Sequence, residues 1–456
     1  MTPMLLWIAC AGSEPGAEPE GALPVLDVAC TEDAAAFADL ASAPTDVATV
    51  LRASFTPATP GSPWVAYADT RVRLEASVVD GNALLVGVGP GEPVAWRAMV
   101  DTERGTVCSP VQRAETGLLP PDVPELSVEG EPEGGGGFVL VPILAQDHVT
   151  SALVDPFGRV VWAHRAADEA HLGPYRLLPS RDGLGVVAAV SAPFLEESAQ
   201  VTAVDWAGMD RGGPALRAGH TDLAELPDGT FAMLGWSIRE VSPGRRMLGD
   251  TIVEVSPQGV ERVVWSVFDA FVPRTDEYYR NTFYTADLSV EDWTHGSGLF
   301  YDVQQDDYLV TLRNLSLVVR VDRGTGTMVW AAGGGRLGVP DGSPIEGPHS
   351  VQRLREDSYL VFNNGIPGEG CSRAVELHID PAGLGVEERR RYAGRDCEEV
   401  VFLGDARVQA DGSVRVAWSS KGRMETFTAE GASRQTLDLP VGYAFGFAEP
   451  VSLGRR

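Results

Sequence analysis

The stretches LVDPFGRVVWAH (153–164), VSPQGVERVVWSV (255–267), VDRGTGTMVWAAG (321–333) and VQADGSVRVAWSS (408–420) decide the fold. Each is a polar, Gly-containing turn followed by a β-rich run that reaches a tryptophan: Trp162, Trp265, Trp330 and Trp418. Between them runs a second theme of strand, polar tight turn and strand: LLPSRDGLGVVAAV (177–190), ELPDGTFAML (225–234), DDYLVTLRN (306–314) and RLREDSYLVFNN (353–364). Hairpin turns alternating with a periodic aromatic are what propeller blades produce, because each four-stranded sheet packs both faces on its neighbours. Roughly 320 residues from Phe138 onward, at about 50 per blade, give about six blades, with five to seven allowed.

Ahead of this region, VRLEASVVDG (72–81), NALLVGVGPGEPVAWRAMV (82–100) and GTVCSPVQ (105–112) alternate apolar and polar residues between turns. This rhythm predicts a small β-sandwich of the immunoglobulin or fibronectin kind over 23–129. GEPEGGGG (130–137) reads as a linker. Its four glycines lack the Gly-Lys-Ser/Thr and the following helix of a phosphate cradle. The expected organisation is therefore all-β: a tether (1–22), a sandwich (23–129), a linker (130–137) and a six-bladed propeller (138–456). The best helical candidate is the short AAAFADLA (34–41).

Composition narrows the function. With 64 acidic and 36 basic residues the net charge is −28, which disfavours broad binding to nucleic acid or to an anionic membrane. No apolar run approaches the roughly 18 residues of a spanning helix. The opening MTPMLLWIAC resembles the end of a lipoprotein signal, so Cys10 is the expected lipidation site and a lipid anchor the only expected membrane contact. The expected location is outside the cytoplasm, periplasmic or anchored to the outer membrane. The other four cysteines suit disulfides in an oxidising compartment. Their positions favour Cys30–Cys108 and Cys371–Cys397, although four cysteines allow three pairings.

Three of the seven histidines share a setting: His220 in RAGHTDLAELPDGTF, His295 in EDWTHGSGLFYDVQQDDYLV and His349 in IEGPHSVQRLREDSYLVF. Each precedes by a few residues a short apolar-alternating strand that enters a polar turn and a second strand. The spacings of 75 and 54 residues read as one and a half blades and one blade. Equivalent places in separate blades bring the imidazoles to one axis. Arg313 ends the strand pair that His295 begins, and its planar fork suits sulfate or phosphate oxygens. Beside it stands Asn314, and an aromatic run at 276–288 includes Tyr278 and Tyr279; these three are candidate substrate contacts.

The blocks GHTDLAELPDGTFAML, DWTHGSGLFYDVQQDDYLVTLRNLSLVVRVDRGTGTMVWAAGG and GPHSVQRLREDSYLVFNNG together resemble the bacterial arylsulfate sulfotransferases. The resemblance covers roughly 138–450. It implies a six-bladed propeller with an N-terminal sandwich, an aryl sulfate donor, a phenolic acceptor and no cofactor or metal. It further implies that His349 accepts the sulfuryl group, supported by His220, His295 and Arg313. Gly219 and Pro348 stand before two of the histidines where the family often has polar residues, and 296–298 is an open-looking Gly-Ser-Gly. Rival readings are a non-catalytic exported propeller, a three-histidine zinc site and a quinoprotein dehydrogenase. A homodimer is an open option.

Overall fold

A computed structural model of the chain describes residues 26, 28–131, 137–165, 173–190, 198–217, 219–273, 289–334, 344–365, 371–380 and 385–455. Cys10, Tyr278 and Tyr279 lie outside these residues.

Two antiparallel-rich sheets come first. One is six-stranded and is built around Ser62–Ala68 and Pro93–Thr102; the other contains Phe37–Pro44, Leu51–Pro57 and Asn82–Leu85. Phe37, Phe55, Leu85, Tyr67 and Trp96 are buried in a common core, which makes the pair a sandwich. Cys30 is bonded to Cys108 at its edge. The stretch read as a helix is not one. Ala34–Ala36 form a single 3-10 turn capped by Asp33, and Phe37 then starts a strand and packs on Phe55 with ring centroids 5.9 Å apart. Burying a phenylalanine against the sandwich outweighs the weak helix preference of three alanines.

Among the described residues six sheets follow, antiparallel except for the parallel pairing of Val290–Asp292 with Arg245–Val255 in the third. The first holds Phe138–Leu144, Val149–Val154 and Val160–Arg165; the second Leu177–Pro179 through Ala215–Arg217; the third Gly219–Glu225 through Glu261–Ser266. The fourth runs from Gly296–Asp302 to Met328–Gly333, the fifth from Pro348–Arg355 to Val386–Tyr392, and the sixth from Asp405–Val408 to Ser433–Asp438. The second through fifth sheets each contain a four-stranded meander. The opening strands of the third through sixth sheets contact one another in sequence, and Glu449–Val451 touches the opening strands of the second and sixth. Together these strands form the hub of a propeller.

The ring is stitched from both directions. Ser127–Gly130 pairs antiparallel with Ser433–Asp438 at the outside of the sixth sheet. Ala444–Phe445 and Glu449–Val451 pair with Phe138–Leu144, so the hub strand of the first sheet comes from the far side of the sequence. The seam is filled by side chains from both ends of this region: Val139, Val141, Ala417, Met424 and Phe445 share one buried cluster between the sixth and first sheets.

The periodic tryptophans are all buried, but they are not all equivalent. Trp162, Trp265 and Trp330 lie on the outermost strands of the first, third and fourth sheets, whereas Trp418 ends the second strand of the sixth. What recurs is a large aromatic closing the space between adjacent sheets. Trp162, for example, meets Trp206 of the second sheet edge-on at 5.4 Å. Cys371 is bonded to Cys397, which ties the start of the third strand of the fifth sheet to the loop leading into the sixth.

Because residues 444–451 complete the first sheet, deleting 444–456 should abolish the cooperative thermal transition followed by circular dichroism. Deleting only 454–456 should leave it within a few degrees of the parent.

Candidate functional site

Each meander starts at the hub, so the hub strands all run in the same direction. Residues at their starts gather at one mouth of the ring and residues at their ends at the other. His220 and His349 are the second residues of Gly219–Glu225 and Pro348–Arg355, and His295 immediately precedes Gly296–Asp302. The three histidines therefore occupy matching places in three consecutive sheets. The 75-residue gap is a single sheet, not one and a half. It is lengthened by the strands Phe231–Ser242 and Arg245–Val255 and by the stretch between Ser266 and Val290.

The inner ladder of each of these sheets breaks at the histidine. Register shifts fall between His220 and Leu223, between Gly296 and Gly298, and between Pro348 and Ser350. An extra residue in a strand re-aims its neighbours, and such bulges are over-represented next to active sites. Thr221 and His295 also hold left-handed backbone, with φ of 55° and 49°, a conformation that is unfavourable without glycine and persists only where surrounding contacts enforce it.

Those contacts centre on Asp250, which is fully buried. It accepts hydrogen bonds from His220 Nε2 (3.0 Å), from the Thr294 hydroxyl and from the Gly296 N–H (2.6 Å), and its own N–H donates to Thr294 Oγ1 (3.0 Å). Burial alone would raise this carboxyl, but the hydrogen bonds and the His220 imidazole outweigh it and hold Asp250 below the usual carboxylate range. His220 is itself only 1% exposed and stacks on Trp236 with centroids 4.5 Å apart. Its Nδ1 meets Thr221 Oγ1 at 2.8 Å. Both ring nitrogens of His220 are thus engaged within the protein.

His295 faces a carboxylate of its own. Its Nδ1 bonds Asp292 Oδ2, and its backbone N–H donates to the other oxygen of Asp292 at 3.2 Å. Arg313 begins a 3-10 turn directly after Asp307–Leu312, and its backbone N–H donates to the His295 carbonyl at 3.2 Å. Asn314 donates its side-chain amide to the Asp292 carbonyl at 3.0 Å and its N–H to the Thr294 carbonyl at 3.1 Å. In this structure Asn314 braces the His295 turn.

His349 differs from both. It is 5% exposed, and among the described residues it has no carboxylate partner and its Nδ1 no hydrogen-bond partner. Burial, then the charges of Arg313, His295 and Arg176, push its imidazole well below the ordinary value of 6.5, with the Gly404 backbone pulling weakly the other way. The ring is therefore neutral at neutral pH. Phe447 covers one side at a centroid distance of 5.4 Å.

The open-looking Gly-Ser-Gly is filled. A Cβ on Gly296 would lie 2.6 Å from Asp250 Oδ1, and one on Gly298 2.5 Å from the His349 carbonyl oxygen. Gly219 is equally constrained, since its Cβ would meet that of Ala199 at 2.9 Å. These glycines let neighbouring sheets approach around the histidines.

Below the histidines, charged side chains fill the hub. Arg176 lies over the Phe447 ring at 4.4 Å and pairs with Asp222, with Glu449 at 2.8 Å and with Asp405 at 3.8 Å. Arg407 joins them, 3.1 Å from Asp405 and 3.5 Å from Glu449. Sequence reasoning missed Asp250, Asp292, Arg176 and Phe447. Asp292, three residues before His295, carries a local signal; the other three reach the site only through the fold. Among the described residues, no three His, Cys, Asp or Glu side chains are grouped as a metal site.

Residues 212–337 match the model of the arylsulfotransferase (ASST) family. The resemblance read from the sequence holds over that stretch, which contains His220, His295 and Arg313 and stops before His349. No curated protein matches the chain in sequence. Among solved structures, the chain is similar to a protein of unknown function from Bacteroides caccae (14% identity, TM-score 0.43, covering 69% of this chain and 99% of that one). It is also similar to the periplasmic gluconolactonase of Pseudomonas aeruginosa (11%, 0.41, 72% and 100%). A third is the β-propeller domain of Myceliophteria thermophila Cps50 (11%, 0.38, 69% and 90%).

The depressed imidazole has a consequence for stability. An unfolded chain protonates this histidine near pH 6.5, whereas the fold resists the proton. The contribution of His349 is thus fully present above about pH 6.5 and is lost as pH falls from there toward its folded value, by about 1.4 kcal/mol per pH unit for one group. Melting between about pH 7.5 and 5.5 should fall more steeply in the parent than in His349→Gln.

Proposed function

We propose that the protein moves a sulfuryl group from an aryl sulfate to a phenol at the histidine mouth, through a sulfohistidine at His349. The observation that carries this reading is the contrast among the imidazoles. His220 and His295 each have a carboxylate partner, while His349 has none among the described residues and is kept neutral by burial and nearby positive charge. A neutral, buried imidazole beside a guanidinium suits a nucleophile that must attack an anionic ester.

In the first half-reaction a His349 ring nitrogen uses its lone pair to form a bond to sulfur as the bond from sulfur to the aryl oxygen breaks. The electron pair of that bond leaves with the phenolate. Arg313 neutralises the sulfuryl oxygens as charge moves onto the leaving group. His295, oriented by Asp292, gives a proton to the phenolate and later takes one from the acceptor phenol. The acceptor oxygen then attacks sulfur and releases His349. By analogy with phosphoryl transfer, positioning and charge neutralisation supply most of the rate. His220, with both nitrogens engaged, acts as a positioning residue. Through Asp250 it fixes Thr294 and Gly296, the residues on either side of His295.

The two disulfides and the family match support an exported protein. A periplasmic or lipid-anchored address belongs to the proposal.

With 4-nitrophenyl sulfate as donor and a phenol as acceptor, initial rates should give the parallel lines of a ping-pong scheme. His349→Ala should lose at least about 10³-fold in turnover. Arg313→Lys should lose about 10- to 100-fold, because a point charge replaces a fork. Mixing the enzyme with donor alone should add about 80 Da, one SO₃, at His349. Undiminished turnover in the alanine variant would refute the assignment.

A further inference from the structure

The mouth opposite the histidines holds a cavity of about 480 Å³, formed at the ends of the hub strands. That volume falls in the usual range for small-molecule sites. Its walls are largely apolar, with Leu226, Leu299 and Phe300 among them. Its floor is polar and incompletely paired. Arg407 is 4% exposed; its Nε bonds Glu449, its Nη1 forms an ion pair with Asp405 and bonds two backbone carbonyls, and Nη2 makes no hydrogen bond among the described residues. Glu449 receives Arg176 and Arg407 on Oε2, leaving Oε1 without a donor among the described residues. Gln352 accepts from the Val408 N–H through Oε1 and keeps its amide hydrogens for the cavity.

Neither Arg407 Nη2 nor Glu449 Oε1 is sealed within the protein, so both are open to a polar group in the cavity. Here the two stand together on the floor of one apolar chamber. We propose that this cavity is a second binding site, separate from the histidine mouth, for a neutral hydroxylated aromatic of one or two rings. A phenolic oxygen accepts a hydrogen bond from Arg407 Nη2 while its O–H donates one to Glu449 Oε1, and the ring lies between the leucines and Phe300. Charge selects the neutral molecule. In the floor Arg176 and Arg407 stand with Glu449, and behind it Asp222 and Asp405 pair with the same two guanidiniums, so the group of five carries an excess of one negative charge. On the rim, Glu225 and Arg181 offset each other. An anion of the same shape meets repulsion on that floor.

The site does not depend on sulfuryl transfer, so its test uses binding. Titration of 4-fluorophenol, followed by fluorine NMR, should saturate with the full-length protein and with His349→Ala. Val303 is 64% exposed on the cavity rim, so Val303→Trp narrows the entrance without disturbing the core. This variant should bind at least about tenfold more weakly, with circular dichroism unchanged. The anion 4-fluorobenzoate should also bind at least about tenfold more weakly to the parent. No saturable binding, or binding lost in His349→Ala and kept in Val303→Trp, would overturn the proposal; the latter result would move the ring to the histidine mouth. Benzoate binding as tightly as the phenol would overturn the neutral class.

Discussion

Asp250 holds a full negative charge where no water reaches it, and the histidine mouth is organised around that constraint. An unpaired carboxylate in such a place costs several kcal/mol. Here its oxygens are met by an imidazole, a hydroxyl and a backbone N–H, which come from both sides of the junction between two sheets. Those partners set the local geometry. The backbone N–H belongs to Gly296, which must lack a Cβ to come so close. The hydroxyl belongs to Thr294, so the residue between them, His295, is held on both sides in a left-handed conformation. One buried charge thus fixes the position of a side chain that it never touches.

This pattern separates what is legible in the sequence from what is not. The hub hairpins are legible, because a polar tight turn between two apolar runs is a local signal, and 177–190, 225–234 and 353–364 all join the first two strands of their sheets. The histidines are legible as a set for the same reason: each sits at a similar offset from such a hairpin. Asp250 is not. It lies on the third strand of its sheet, 30 residues from His220, and nothing near it in the chain marks it as the partner of an imidazole. Arg176 and Phe447 come from opposite ends of the propeller sequence and meet only because the ring closes.

Glycine is where a sequence reading goes most astray. At 296–298 the missing side chains suggest open space, whereas Asp250 and the backbone of neighbouring sheets occupy it. In a hub where strands converge, a glycine marks crowding more often than freedom. The opposite error affects AAAFADLA, where a local preference for helix is overridden by the sandwich core that Phe37 enters. In both places, packing between elements sets the outcome, and a single sequence does not display it.

The stitched ring also dictates an order of events. Glu449 anchors Arg176, and Phe447 covers His349, yet both follow the three histidines and Arg407 along the chain. A chain that stops before residue 447 carries the three histidines but neither the ring beside His349 nor the Glu449 partner of Arg176. The surroundings of His349 are therefore completed only when residues 447–449 take their places.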